Sequence, residues 1–410
     1  MKKNLFLIFP YKGVGGVSVL FMRAAEWLVD RNFSVKVIDY SDGFISKSSY
    51  NKNIEIIDYG GPMIKIPKDS ICLMQLMTPW TIFKNIKFND DTKIFFWSCH
   101  PNNLIPSIPI FSNFFENNLT FKKLFINLFL SKYKNKSKIF LELLLKTESI
   151  AFMDDENIKN TRFFLDHKIR KVQKLPIPIF LSKETKKIKT VSKGTLKLTW
   201  IGRIEDFKTK SLEKVIDDLE KIIEFSHKNI IFNVIGDGED LHIIKEKALN
   251  SGLSFNFIDY LETDKLNKFL KENTDLLFAM GTSALEGGQC SIPTVLLDIS
   301  HSKLKANYKY KWLFETKNYN LGEVLHKKFS GSGTHDIKNI IENTILNKTK
   351  IGMHCRDYVE SNHSSEIVFK NLESLLNNLS LEWEDLSSSK VIKSGLVYKV
   401  SKFLRNQKSI

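Results

Sequence analysis

Two cations follow one apolar run in the second half of the chain, in the stretch IGRIEDFKTKS. Arg203 and Lys208 stand just beyond the end of that run. A forked guanidinium and a flexible ammonium at this place suit a diphosphate. The alternative is a solvated charged turn, and the loop by itself is compatible with both.

A second candidate for phosphate binding is the stretch AMGTSALEGGQCSIPTVLLD. A predicted strand ends at Met280, and Gly281, Thr282 and Ser283 precede a predicted helix. Backbone amides at a helix start, together with the helix dipole, attract phosphate. Ser283 also suits the helix N-cap, with Glu286 three residues later in the capping-box place. A glutamate there can equally accept hydrogen bonds from a ribose diol.

A third candidate is the N-terminal loop YKGVGGVS, which follows the apolar run LFLIF. The dinucleotide-binding fingerprint needs a third glycine where Ser18 stands, and an acid at the end of the second strand, where Asp39 stands. The acid is present and the glycine is absent. The remaining glycines, Gly13, Gly15 and Gly16, predict a permissive turn where backbone comes close to a ligand.

Short apolar runs that alternate with helical patterns predict the elements that position these loops. The runs typical of buried strands are LFLIF, SVKVID, SICLMQL, KIFFW and SIAFM, then LKLTWI, IIFNVI, FNFI, DLLFAM and PTVLLD. Repetition of a strand-helix-strand unit implies parallel sheets wrapped by helices. We therefore predict an α/β fold of two Rossmann-like doubly wound domains that face each other across a ligand-binding cleft.

A break in this alternation predicts the boundary between the domains. The segment KLPIPIFLSKETKKIKTVSKG carries two prolines and then a polar, lysine-rich stretch, and neither part suits a helix interior. We expect an N-terminal domain at residues 1–184, a C-terminal domain at 185–385 whose last helices can cross back, and a basic amphipathic tail at 386–410.

Composition limits the class of partner. The 410 residues carry a formal net charge of +15, with a pI near 9.3, which calls for nucleic acid, acidic lipid or a phosphorylated substrate. The four cysteines lie far apart, as expected in a reducing cytosol. The first apolar run is too short for a signal peptide, and no stretch approaches the ~20 apolar residues that span a bilayer. We expect a cytosolic protein or one that lies against a membrane.

In their order along the chain, these stretches resemble the GT-B glycosyltransferases, and most closely those of glycosyltransferase family 4. The likeness covers about residues 3 to 375 and includes GVGGVS, FFWSCHPN, KLPIPI, GRIEDFK, VIGDGED and the spacing of seven residues from Glu286 to Pro293. The resemblance implies an acceptor-side N-terminal domain and a C-terminal domain that holds most of the nucleotide sugar.

The resemblance also implies a role for each candidate residue. Arg203 and Lys208 would neutralise the donor diphosphate, and Glu286 matches the second glutamate of the family's E-x7-E motif, which holds the ribose hydroxyls. His100 would contact the transferred sugar or the acceptor. The implied catalytic set is His100, Arg203 and Lys208. The implied donor site is Gly16, Arg203, Lys208, Gly281, Thr282, Ser283 and Glu286, and the implied acceptor side is Gly15, Gly16 and His100.

The chain departs from the family pattern at one position. The first glutamate of E-x7-E should stand eight residues before Glu286, where this chain has Phe278. The family implies a retaining transfer, with that glutamate near the donor sugar. No D-x-D motif is present, and two cations with a row of amides can stabilise the leaving diphosphate. We predict metal-independent transfer from a UDP- or GDP-linked sugar, with no cofactor.

Two basic, apolar segments predict contact with an anionic membrane surface. One is the tail at 386–410, and the other is FSNFFENNLTFKKLFINLFLSKYKNKSK in the first domain. The alternative for both is a helix packed on the core with a solvated lysine face. Lipid binding would make this a cytoplasmic enzyme attached peripherally to the inner face of the cytoplasmic membrane, beside a lipid-linked glycan acceptor.

The function predicted from the resemblance is a hexosyl- or glycosyltransferase of bacterial surface polysaccharide synthesis, either lipopolysaccharide or capsule. One alternative is another GT-B enzyme, such as a sugar-nucleotide 2-epimerase, whose several acidic catalytic residues have no evident counterpart here. A GT-B protein that binds nucleotide without turnover is a further alternative. A nucleic-acid partner is not expected, because the lysines are dispersed and no helix-turn-helix, zinc spacing or RNA-binding aromatic stretch is present.

Overall fold

The chain forms two compact units. The computed structural model describes residues 2–393 except 14, 32, 49–52, 84, 109–117, 182–190, 192–193, 223–228 and 326–329. Unit 1 comprises residues 1–177 and 368–410, and unit 2 comprises residues 178–367. Each unit is built on its own predominantly parallel sheet.

The sheet of unit 1 has seven strands in the order β3-β2-β1-β5-β7-β8-β9, all of them parallel. The strands of this unit are β1 (Lys3–Ile8), β2 (Phe33–Asp39), β3 (Glu55–Asp58), β4 (Ile64–Lys65), β5 (Ser70–Gln75), β6 (Ile86–Lys87), β7 (Lys93–Ser98), β8 (Ile150–Phe152) and β9 (Gln173–Lys174). The short strands β4 and β6 pair separately. The order reverses direction between β1 and β5, so the glycine-rich loop after β1 lies at the switch point of this sheet.

Helices cover both faces of this sheet, as a parallel sheet requires. They are α1 (Gly16–Val29), α2 (Phe44–Ser48), α3 (Leu119–Phe129), α4 (Ser131–Lys146) and α5 (Asp155–Leu165). Because successive strand residues point to opposite faces, Leu5 and Leu7 of β1 share a core with α1. Phe6 of the same strand shares the other core with Phe140 and Leu144 of α4.

The sheet of unit 2 has six strands in the order β12-β11-β10-β13-β14-β15, with only β15 antiparallel. Its strands are β10 (Thr195–Ile201), β11 (Asn229–Ile235), β12 (Ser254–Ile258), β13 (Leu276–Ala279), β14 (Thr294–Leu296) and β15 (Lys311–Trp312). Its helices are α6 (Asp206–Glu220), α7 (Leu241–Leu249), α8 (Thr263–Asn273), α9 (Thr282–Gln289) and α10 (Ile337–His363).

The end of the chain returns to unit 1 through α11 (Ser365–Asn377) and α12 (Trp383–Ser388). Val368 and Phe369 join the core beneath α1, and Leu386 joins the opposite core. The structure therefore assigns residues 368–385 to unit 1, where the sequence placed them in the second domain with the note that its last helices can cross back. Most of the predicted linker, and residues 394–410 of the predicted tail, lie outside the described residues.

The predicted fold class of two doubly wound α/β units is confirmed. All ten apolar runs form strands, namely β1, β2, β5, β7, β8 and β10 to β14. The sequence missed short strands such as β3, β9 and β15, which offer too few residues for a periodic signal. The four cysteines are free and buried.

Candidate functional site

Both phosphate-loop candidates of unit 2 begin at neighbouring strand ends. β10 and β13 are parallel partners, with Ile201 beside Ala279, and the strand order reverses direction between them. In an open α/β sheet, ligands bind outside the carboxyl ends of the strands at such a switch point. The Arg203 loop and the start of α9 therefore flank the position that the topology favours for a ligand.

The two cations of this loop differ in their surroundings. Arg203 is exposed, and its guanidinium contacts Glu205 Oε1 at 3.1 Å. Lys208 is half-buried on the first turn of α6, with its Nζ 5.7 Å from the ring centroid of Phe207. Desolvation by burial, together with repulsion by Arg203, lowers the pKa of the Lys208 ammonium. The negative charge of Glu205 acts against this shift, but among the described residues no carboxylate lies within 4 Å of Lys208 Nζ, so this ammonium forms no ion pair there.

The glycines of VIGDGED pack against the backbone of the Arg203 loop. A side chain at Gly236, whose φ is +130°, would collide with the carbonyl oxygen of Gly202, and one at Gly238 would collide with that of Ile204. Ile204 N donates to the carbonyl of Asp237 at 2.9 Å. The two strand-end loops are therefore packed backbone against backbone, and the glycines have a structural role.

The start of α9 differs from the prediction. Gly281 is the N-cap, with φ 61° and ψ −141°, a conformation accessible mainly to glycine, and the helix begins at Thr282. The prediction of Ser283 as N-cap, with Glu286 in a capping box, is therefore wrong, because Ser283 is already the second helical residue. A Cβ at Gly281 would meet nothing within 4 Å. The space beside Gly281 is thus open at the start of α9, where the Ala284 amide already donates to Gly281 O at 3.2 Å and the amides of Thr282 and Ser283 precede it.

Glu286 and Gln289 form a buried polar pair inside α9. Glu286 is 8% exposed and accepts a hydrogen bond from Nε2 of Gln289, one turn further along the helix. The Oε1 atom of Gln289 is buried, with no hydrogen-bond partner. An unsatisfied buried acceptor costs about 1–3 kcal/mol, which a ligand hydroxyl can offset. Gln289 is not among the residues predicted from the sequence, although its spacing of three residues from Glu286 was the available signal.

Phe278 lies inside the sheet. It is fully buried in β13 and packs edge-on against Phe232 and Tyr310, with ring centroids 6.3 and 6.4 Å away. Only Met280 and Gly281 connect β13 to α9. Position 278, where the E-x7-E motif has its first glutamate, therefore belongs to the strand and not to the connection between β13 and α9.

The glycine-rich loop of unit 1 is a helix start built around Ser18. Gly15 has extended backbone and precedes α1, which begins at Gly16. Ser18 Oγ accepts from Gly15 N at 3.0 Å and donates to Gly15 O at 2.8 Å. Neither Gly15 nor Gly16 has a positive φ, so the turn does not use the dihedral freedom of glycine. A Cβ at Gly16 would meet nothing within 4 Å, which leaves room for a ligand at the helix start.

Asp39 stabilises the neighbouring loops through backbone hydrogen bonds. It is fully buried at the end of β2. Its Oδ1 accepts from the backbone N–H of Tyr11 at 2.9 Å, and its Oδ2 accepts from those of Ile45 and Ser46 at 3.1 and 3.2 Å. A side chain at Gly43 would collide with this carboxylate. Asp39 therefore joins the loop after β1 to the start of α2.

His100 lies on an exposed loop after β7. Its Nδ1 accepts from the backbone N–H of Asn102 at 3.1 Å, which places the proton of the neutral ring on Nε2. Asn103 Oδ1 accepts from the backbone N–H of His100 at 2.9 Å and fixes the loop. Desolvation by the surrounding protein, with the positive charge of Lys122, lowers the pKa of the His100 imidazole. The ring is therefore neutral at pH 7.

The predicted residues fall into two groups, one in each unit. In unit 2, the switch point brings the Arg203 loop and the start of α9 together, and in unit 1 the glycine loop and His100 follow β1 and β7, which β5 separates. No group of three or more His, Cys, Asp and Glu side chains among the described residues is placed to hold a metal ion. In the same part of the chain, no helix is long and apolar enough to cross a membrane.

No protein-family model and no curated protein sequence matches the chain. Solved structures do match. A glycosyltransferase from Rickettsia africae has a TM-score of 0.55 at 13% identity, covering 92% of this chain and 98% of that one. AviGT4, a glycosyltransferase involved in avilamycin A biosynthesis, has a TM-score of 0.52 at 9% identity, covering 92% of this chain and 97% of that one. A structure described as trehalose-6-phosphate from E. coli bound with UDP-2-fluoro glucose has a TM-score of 0.53 at 12% identity, covering 91% of this chain and 99% of that one.

The chain has the GT-B fold. These matches span both units, and the order of strands in each sheet agrees with the doubly wound pattern predicted for a GT-B protein. At identities of 9 to 13% the likeness is one of fold. The roles of individual residues in this GT-B chain must therefore be argued from its own side chains.

Proposed function

We propose that the chain is a glycosyltransferase that moves a sugar from a nucleotide-sugar donor to a glycan acceptor. The observation that carries this proposal is the set of groups at the switch point of unit 2. Lys208, which forms no ion pair among the described residues, and the exposed Arg203 follow β10. The neighbouring strand β13 leads to the start of α9, where the space at Gly281 is open. Such a set suits a diphosphate. The GT-B fold supports the same conclusion.

Glycosyl transfer breaks the bond between the anomeric carbon and the diphosphate oxygen, and negative charge then grows on the leaving diphosphate. Arg203, Lys208 and the first amides of α9 stabilise that charge, and this arrangement needs no metal ion. The acceptor hydroxyl forms the new bond to the anomeric carbon, and its proton passes to the leaving diphosphate. In this proposal Glu286 and Gln289 hold the ribose hydroxyls, since both are buried acceptors on α9.

In this proposal, unit 1 binds the acceptor. The room in front of Gly16 allows a ligand to approach the start of α1, with Gly15 as its N-cap. His100 presents a neutral ring whose Nε2–H can donate to a hydroxyl of the transferred sugar or the acceptor. A retaining mechanism, a UDP- or GDP-linked donor, a lipid-linked acceptor and a role in bacterial surface polysaccharide synthesis remain predictions of the family resemblance.

A thermal-shift panel of UDP-, GDP- and dTDP-sugars tests the donor site, since a ligand that binds only the native state raises its apparent melting temperature. We expect one nucleotide class to stabilise the wild type, and expect Arg203→Ala and Glu286→Ala to reduce that shift. Lys350→Ala is the matched control, because Lys350 is exposed on α10 and outside the candidate site. Equal shifts in all four proteins would refute the donor-site assignment.

A further inference from the structure

Unit 2 contains a charged cavity of about 170 Å³ beside α6, which we call the α6 cavity. Residues of α6, of α7 and of the segment that follows β14 line it. A cavity of about 150 Å³ holds a molecule of the size of benzene, so the α6 cavity has room for a phosphate group and a few further atoms. Its charged lining residues are Lys210, Lys214, Lys247, Lys303, Glu213 and Asp217.

The α6 cavity lies on the face of α6 that is opposite Lys208. At about 100° of rotation per residue, the four lining residues of this helix fall within an arc of about 100°. The centre of that arc is about 190° away from Lys208. The α6 cavity and the Arg203 loop therefore use different side chains of unit 2.

Positive charge exceeds negative charge in the lining of the α6 cavity, which has four lysines and two acids. Lys210 Nζ donates to Glu213 Oε2 at 2.8 Å, and Lys247 forms an ion pair with Asp217. The excess of two positive charges therefore comes from the other two lysines. A phosphate monoester carries a charge of about −1.5 to −2 at pH 7, so it matches this excess.

Lys214 is a buried ammonium with a donor to spare. It is 5% exposed, and its Nζ donates to Asp218 Oδ2 and, at 3.3 Å, to the carbonyl of Ala306. Asp218 also accepts from Lys221 and Tyr310, so its one negative charge is shared between two lysines. An ammonium has three N–H donors, and the third donor of Lys214 has no acceptor among the described residues. An anion in the α6 cavity can offset the cost of burying that donor.

Lys303 supplies the second excess charge from a different element. It is exposed in the segment after β14, and within the described ranges its ammonium forms no ion pair and no hydrogen bond. Lysine binds phosphate as a point charge, and an exposed ammonium can meet an anion that arrives from solvent. The α6 cavity therefore combines one buried and one exposed ammonium, both with donors available for a ligand.

We propose that the α6 cavity binds a phosphate group, either inorganic phosphate or the phosphate of a small ester. One phosphate oxygen accepts the third N–H of Lys214, and Lys303 balances the remaining charge. This site goes beyond the proposed glycosyl transfer, because it uses none of the side chains assigned to the donor. Water alone in the cavity, and phosphate bound at the Arg203 loop instead, are the competing explanations that the experiment must separate.

Isothermal titration of the full chain with inorganic phosphate, at constant ionic strength, tests this site. We expect the wild type to bind with a Kd of about 1 mM. Lys303→Glu should weaken binding at least about tenfold, because it replaces an attraction by a repulsion. Lys305→Glu is the matched control, since Lys305 is exposed in the same segment and does not line the cavity. This control should bind like the wild type.

A substitution with the opposite effect separates binding in the α6 cavity from damage to the fold. Glu213→Gln should tighten phosphate binding about threefold, because it removes a lining carboxylate and releases Lys210. A merely structural change would not raise the affinity. Glycerol 3-phosphate, titrated in the same way, distinguishes the two sources of phosphate: tighter binding than that of inorganic phosphate would assign the site to an ester, and weaker binding to inorganic phosphate itself.

Two results would overturn the proposal. No binding of inorganic phosphate by the wild type at about 10 mM would show that the α6 cavity holds water alone. Binding that Lys303→Glu retains and Arg203→Ala loses would assign the phosphate to the Arg203 loop. Thermal shifts with nucleotide sugars, measured on Lys303→Glu, show separately whether the donor site is intact, so failure here is distinct from failure of the proposed function.

Discussion

Replacing Lys208 by methionine separates function from stability at the candidate donor site. The half-buried ammonium of Lys208 has no carboxylate within 4 Å among the described residues, and burial lowers its pKa. Methionine keeps most of the side-chain length beside the Phe207 ring, where the Lys208 ammonium lies 5.7 Å from the ring centroid, while it removes the charge. The Lys208→Met variant should therefore lose diphosphate binding without losing stability.

The expected loss of binding follows from the type of contact. A Coulomb interaction between unit charges at 4 Å with an effective dielectric constant of 20 is about 4 kcal/mol, which is a gross upper value. Net contributions of hydrogen bonds to charged groups are about 1.5–3 kcal/mol. A loss of about 2 kcal/mol corresponds to binding about 30-fold weaker.

Whereas nucleotide binding should weaken in the Lys208→Met variant, its free energy of unfolding near pH 7 should not fall. The folded-state pKa of Lys208 is lowered, so the unfolded chain binds more protons between that pKa and the ordinary value of 10.5. The wild type should therefore become more stable as pH rises through that window, and the Lys208→Met variant should lack this rise. Near pH 7 the variant should be at least as stable as the wild type, by up to about 1 kcal/mol.

Isothermal titration with UDP and GDP, and urea denaturation at pH 7 and 10, measure the two effects. Lys350→Met is the control, because Lys350 is exposed on α10. Undiminished nucleotide binding by Lys208→Met would refute the role of this ammonium. A loss of binding accompanied by an equal loss of stability would show that Lys208 acts through the fold and would contradict the reasoning.

Three further substitutions test other parts of the account. Gly236→Ala should lower the free energy of unfolding in urea by about 3 kcal/mol, because its φ of +130° and the Gly202 carbonyl both exclude a side chain. Asp39→Ala should cost about 3 kcal/mol in the same assay, because buried backbone N–H groups lose their acceptor. Gln289→Leu should weaken nucleoside diphosphate binding about tenfold and leave pyrophosphate binding unchanged, because it disturbs Glu286 and not the cations.

The central strands and the fold class could be predicted from the sequence, because buried parallel strands are short, apolar and regularly spaced. Arg203 and Gly281 could also be placed just after strand ends from the sequence. In the sheet, the strands that lead to these two residues, β10 and β13, are neighbours. That adjacency could not be predicted directly, because β10 and β13 are far apart in sequence and meet only through the crossover connections of the sheet.

The errors concern local geometry. Ser283 has the chemistry of an N-cap, but the dihedral angles of Gly281 start the helix one residue before it. Ser18 counted against a dinucleotide loop, and the structure shows its hydroxyl closing the helix start at Gly15. Asp39 stands where the dinucleotide-binding fingerprint has its acid, yet it accepts four backbone hydrogen bonds from loops whose contact no spacing rule reveals. Such contacts depend on tertiary packing.

Product analysis distinguishes glycosyl transfer from epimerisation and from nucleotide binding without turnover. The full chain is incubated with the nucleotide sugar selected by the thermal-shift panel, labelled in the sugar, and with glycan acceptors, and the products are identified by mass spectrometry and NMR. We expect nucleoside diphosphate and glycosylated acceptor in equal amounts, with both reduced in Arg203→Ala. An epimerised nucleotide sugar, or bound nucleotide sugar that stays intact with every acceptor, would contradict it.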